Sequence, residues 1–257
     1  MPLSASPTAS DSFSLGTFKR IVLAAVLAGS VAGVALTAVQ GMQVVPLILQ
    51  AEVYEAAAPD AAQAPEAARP HEHAEAQPAA HEHEDDHHHD ANAWQPEDGV
   101  ERTAYTALAN ISLGVGFALL LIACISLRDR PTTWRSGLLW GLGGYLTFFV
   151  APSLGLPPEV PGTAGAALGD RQLWWAGTAA CTAGGLALLS FARGGIRWAG
   201  LALLALPHLI GAPQPVVHSS TAPQELARAF VFATAIANAA FWLCLGACAG
   251  HFYKKAA

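Results

Sequence analysis

Between His71 and His89 the sequence HEHAEAQPAAHEHEDDHHH gathers seven of the chain's ten histidines. Neutral imidazole is a nitrogen ligand for cobalt, nickel, copper and zinc. Glu82, Glu84, Asp85, Asp86 and Asp90 add oxygen ligands and negative charge beside it. His71, His73, His81, His83, His87, His88 and His89 are therefore expected to concentrate a divalent cation.

Within this stretch His83-Glu84-Asp85-Asp86-His87 fits H-E-x-x-H, in which two histidines on one helix face hold zinc and the glutamate acts as general base. A catalytic helix needs an apolar face to hold it against a core, and this segment offers only acid and imidazole. Capture of metal is the better reading. The plain alternative is a solvated, disordered loop whose histidines bind metal weakly or adventitiously.

What carries the loop is a membrane scaffold. At 53% hydrophobic and 12% charged residues, with a mean hydropathy of +0.37, the chain is too apolar for an ordinary soluble domain. The expected fold is an all-α, polytopic helix bundle in lipid. No basic patch suits nucleic acid. Cys124, Cys181, Cys244 and Cys248 all lie in apolar runs, so no disulfide framework follows. No G-x-x-x-x-G-K-[ST] loop is present to hydrolyse nucleotide.

Taken in order, residues 1–17 read as a disordered leader rich in Ser, Pro and Ala. Residues 18–55 form a first span and its outer extension: Lys19-Arg20 precede an apolar run at 21–39 that is too long for a signal peptide's core. Ala25, Gly29, Gly33, Thr37 and Gly41 recur every four positions, a stripe along which another helix can approach closely. Gln40, Met42, Gln43 and Pro46 interrupt the run, which then resumes toward Tyr54. Residues 56–91 are a disordered linker of Ala, Pro, Glu and His.

Residues 92–257 supply about five further spans, at 104–127, 137–154, 174–191, 198–210 and 226–252. Trp94 and the turn Pro96-Glu97-Asp98-Gly99 lead into the first of these. The run 198–210 is the weakest, because it falls short of the roughly 20 residues a crossing needs and holds Pro207-His208. The count is six spans, or five if that run does not cross.

Charge tests the count. If six spans alternate, one side collects nine basic residues, among them Lys19, Arg20, Arg128, Arg135, Arg193, Lys254 and Lys255, and the other collects four. The nine belong inside, which puts both termini in the cytoplasm and the histidine loop outside. Gln40, Gln43, Asn110 and His208 then share the outer half of the membrane, and Asn238 lies deeper. Polar groups at such depths are candidates for an ion path. Cys244 and Cys248 share a helix face, where packing is the simpler role.

The chain resembles the CbtA family of proposed cobalt transporter subunits at FKRIVLAA (18–25), QVVPLILQAEVYE (43–55), DGVERTAYTALAN (98–110), QLWW (172–175) and PHLIGAPQ (207–214). The acidic histidine loop adds to the likeness, which covers nearly everything after residue 18. The resemblance implies an inner-membrane protein for cobalt uptake that supports cobalamin synthesis. Its implied partner is CbtB, a small single-span membrane protein with histidines of its own. Family members are described with about five spans, so a sixth is a departure. No catalytic residue carries over and no tightly bound cofactor is expected; Co2+ is cargo.

On this reading the outer loop captures Co2+ and hands it to Gln40, Gln43, Asn110 and His208. A membrane-anchored metal buffer or sensor is the competing class, and a nickel or zinc transporter the nearer alternative. An intramembrane hydrolase using Glu84 lacks a catalytic pair within the spans.

Overall fold

The computed structural model describes residues 15–62, 96–128 and 132–255, and the seven loop histidines, with Trp94, lie outside them. Among the described residues there are helices and no strand, save one isolated bridge between Thr163 and Ser220.

Helix α1 spans Leu15–Gln43 and breaks at Val44, where Pro46 cannot donate a backbone hydrogen bond. Its axis resumes as α2, Val45–Ala62. Residues 56–62, assigned by composition to the linker, are thus helical; they are mostly alanine, which carries the highest helix propensity. Helix α3 is Val100–Ser126, entered through Gly99 at φ 102°, a backbone angle only glycine adopts readily. Helix α4, Trp134–Tyr145, passes through a π turn at Leu146–Val150 and ends at Ser153. Helix α5 is Leu168–Phe191, starting a turn and a half before the expected Trp174. A 3-10 turn at Gly194–Trp198 leads into α6, Ala199–Ile210, and α7 closes the fold at Gln224–Lys255.

Three of these helices, α1, α3 and α7, are long and apolar enough to cross a membrane. Gly194–Ile210 is apolar but shorter. In α4 the π turn interrupts the regular helix, and α5 opens with Asp170 and Arg171 in its first turn. The outer surface is apolar as well: Leu23, Leu108, Leu139 and Leu209 are each more than half exposed. A face of that kind needs lipid rather than water against it.

Small residues set the helix crossings. A Cβ on Gly29 would meet the α3 backbone at Val115 within 2.3 Å, and one on Gly33 would meet Ile111 at 2.6 Å. The expected stripe is therefore a contact line up to Thr37, whereas Gly41 faces open space. As the α1 number rises the α3 number falls, so the two helices are antiparallel. Gly137 and Gly141 of α4 pack in the same way on Gly246, Gly250 and Trp242 of α7, and Gly185 of α5 on Gly200 of α6. An aromatic layer of Phe117, Phe148 and Trp242 joins α3, α4 and α7, with Phe148 and Trp242 stacked at 5.4 Å.

These antiparallel pairings sort the charges. Arg20 donates to the Tyr253 carbonyl at 3.0 Å, and Arg128 lies 4.3 Å over the Phe191 ring, so the start of α1 and the ends of α3, α5 and α7 share one end. That end is basic. The opposite end carries Glu52, Asp98, Arg102, Glu159 and Arg171 in ion pairs.

Candidate functional site

The small residues that bring α1 against α3 also bury a polar group between them. Asn110 is 8% exposed, and its Nδ2 donates to Gln40 Oε1 at 2.7 Å and to Thr37 Oγ1 at 3.0 Å. Thr37 in turn donates to the Gly33 carbonyl at 2.9 Å. Buried amides are retained only where such partners exist, because an unmet donor in an apolar interior costs about 1 to 3 kcal/mol. The result is a cluster of three neutral oxygen-bearing side chains, one turn below the α1–α2 break.

Above this cluster, Glu52 on α2 is clamped to the start of α3. Arg102 gives Nη2 to Glu52 Oε1 at 2.7 Å and Nη1 to Asp98 Oδ1 at 2.9 Å. The loops following α4 and α6 meet over the same end. Thr221 N donates to the Gly162 carbonyl, Ala164 N to that of Ser219, and Arg171 pairs with Glu159 at 3.1 Å. Val160, Ala222 and Ala51 are buried beneath them, so this end is a packed cap.

The other expected path residues stand apart from the cluster. Gln43 is exposed. His208 is exposed near the end of α6, with its ring 6.0 Å from that of Trp174, whose indole N–H donates to the Pro207 carbonyl at 3.3 Å. The aromatic at the start of α5 therefore takes up the carbonyl beside His208. Asn238 turns to its own helix and donates to the Thr234 carbonyl at 3.0 Å. Among the described residues no group of three or more His, Cys, Asp or Glu side chains is placed to hold a metal ion. Cys244 and Cys248 are free thiols.

Depth along the sequence puts Gln40 and Asn110 at one level, and the angle that joins them comes from the crossing of α1 with α3. Thr37 was missed as their partner because its period with Gly29 and Gly33 assigned it to packing alone. The clamp of Glu52 on Arg102 was missed as well. Opposite charges on either side of the stretch that composition assigns to a linker were the available signal.

Apolar crossing helices, an apolar outer surface and one buried amide cluster define the class, a helical membrane protein with a polar site between two of its spans. A family model described as a probable cobalt transporter subunit, CbtA, matches residues 18–254, and the chain belongs to that family. No curated protein and no solved structure matches it. The description as a subunit implies a partner component.

Proposed function

We propose that the chain is the inner-membrane component of a cobalt uptake system supporting cobalamin synthesis. In this account it crosses the membrane six times, with both termini and the basic end in the cytoplasm. The histidines at 71–89 stand outside, capture Co2+ and raise its concentration over the capped end. The ion then passes to Gln40, Thr37 and Asn110 between α1 and α3. Gln43 and His208 line the outer approach, and Asn238 continues the route deeper. Its partner is a small single-span membrane protein of the CbtB kind.

The observation that carries this reading is the Asn110–Gln40–Thr37 cluster within a chain of the cobalt transporter family. Neutral amide and hydroxyl oxygens hold a divalent cation weakly, as a transit site must if the ion is to leave again. The ion need not be driven by nucleotide. A membrane potential contributes about 2.3 kcal/mol per charge per 100 mV, and about twice that for a divalent ion.

The test is uptake of labelled cobalt in cells expressing the chain with and without its small partner, with nickel and zinc as competitors. Cobalt-selective uptake that needs both proteins and falls in His208→Ala is expected. Nickel or zinc outcompeting cobalt would reassign the cargo, and binding without accumulation would leave a membrane-anchored metal buffer.

A further inference from the structure

We propose that the basic end seats the phosphate of an anionic phospholipid in each of two clefts between neighbouring helix ends. The first cleft, about 490 Å³, lies between the ends of α3 and α5 and is lined by Arg128, Ser190, Phe191, Ala192 and Arg193. The second, about 520 Å³, lies between the start of α4 and the end of α7, with Thr133, Trp134, Arg135, His251, Lys254 and Lys255 on its walls.

Neither wall includes an acidic side chain, and the ion pairs among the described residues lie at the opposite end of the bundle. Among the described residues no acidic side chain pairs with the cations facing the clefts, and the ligand that fits them is an anion. In each cleft a guanidinium lies by an aromatic face, Arg128 at 4.3 Å from Phe191 and Arg135 at 5.3 Å from Trp134. A guanidinium beside a ring keeps N–H donors for phosphate oxygens.

The apolar component of each wall selects lipid over free phosphate. Phe191 is 48% exposed, Trp134 51%, and Leu127 beside Arg128 83%. Inorganic phosphate would leave these surfaces in water, whereas the glycerol and first acyl carbons of a phospholipid would cover them. The clefts also sit where helices with apolar sides terminate, which is headgroup depth in a bilayer. The proposal rests on the chain lying in a membrane and is independent of which metal it carries.

Native mass spectrometry of the full chain released from mixed phosphatidylglycerol and phosphatidylcholine tests it. Two phosphatidylglycerol molecules are expected to stay bound per chain. Arg128→Gln with Arg193→Gln should remove one, and Lys254→Gln with Lys255→Gln the other, each substitution weakening retention about fivefold, the loss of one basic group near an anionic surface. Arg193→Lys, which keeps the charge, should keep the lipid. Lys19→Gln, an exposed cation of the same end outside both clefts, should change nothing. Equal retention of phosphatidylcholine would overturn the proposal, as would a loss in Lys19→Gln matching the cleft variants. Displacement by inorganic phosphate alone would do the same.

Discussion

Asn110 spends both amide hydrogens on α1, one on Gln40 and one on Thr37, so the two spans are tied by a polar contact inside an apolar crossing. Interhelical hydrogen bonds of this kind contribute about 0.6 and at most about 1.7 kcal/mol in membrane bundles. Asn110→Leu is therefore expected to fold, with unfolding in a denaturing detergent titration shifted by no more than that range. Cobalt uptake through it should nonetheless drop about tenfold or more, the factor that 1.4 kcal/mol of lost ion binding represents. A second residue-level expectation concerns the loop, where only neutral imidazole binds metal. Since unperturbed histidine titrates at about 6.5, capture is full above that pH and is lost as pH falls through it. Calorimetric titration of cobalt into the chain at pH 7.5 and pH 5.5 reads the difference, which should vanish when residues 71–89 are removed. Sequence depth placed Gln40 and Asn110 at one level. It could not show that His208 points toward Trp174 on another helix pair, because depth along a span carries no angle about its axis.

The helices are held by close approach at glycine, and the glycines divide sharply. At Gly29, Gly114 and Gly246 an added Cβ would lie within 2.3 to 2.5 Å of a neighbouring backbone, which cannot move aside as a side chain can. Gly29→Val or Gly246→Val should cost at least the roughly 1 to 3 kcal/mol of an overpacked core. At Gly41, Gly116 and Gly143 nothing lies within 4 Å. Alanine there should be neutral or stabilising by up to about 1 kcal/mol, because it relieves the helix of glycine's backbone entropy. Thermal unfolding in one detergent orders the two sets, and a destabilised Gly41→Ala would contradict the assigned crossing. The four-residue period in α1 could be read from sequence since it repeats on one face. Its partner could not, because Gly114 and Ala118 are only two small residues in an apolar run, and their role appears when Gly29 lies over Gly114. The reach of α2 to Ala62 was hidden by a run of Ala, Pro and Asp that suits a linker as well as a helix, and the π turn at Leu146–Val150 leaves no mark in the apolar pattern.

Over the molecule, the antiparallel pairing of α1 with α3, α4 with α7 and α5 with α6 separates a basic end from an end where Glu52 and Asp98 pair with Arg102 and Glu159 pairs with Arg171. The charge asymmetry could be read in advance because loop cations follow a simple rule of side. The packed cap over the amide cluster could not, being built by the turns at 155–167 and 211–223 that have no periodic signal. If the basic end is cytoplasmic, a cysteine at position 80 is labelled by an impermeant thiol reagent in intact spheroplasts, while one at position 195, between Arg193 and Arg197, is labelled only after lysis. The reverse pattern would turn import into export. The most direct test of the account is labelled-cobalt uptake across a range of metal concentrations in cells carrying the native chain, the chain lacking residues 71–89, or Asn110→Leu. Capture followed by transit predicts that the deletion loses uptake mainly when cobalt is scarce and that Asn110→Leu loses it at every concentration. Abolition by the deletion at all concentrations, with Asn110→Leu matching the native chain, would contradict it.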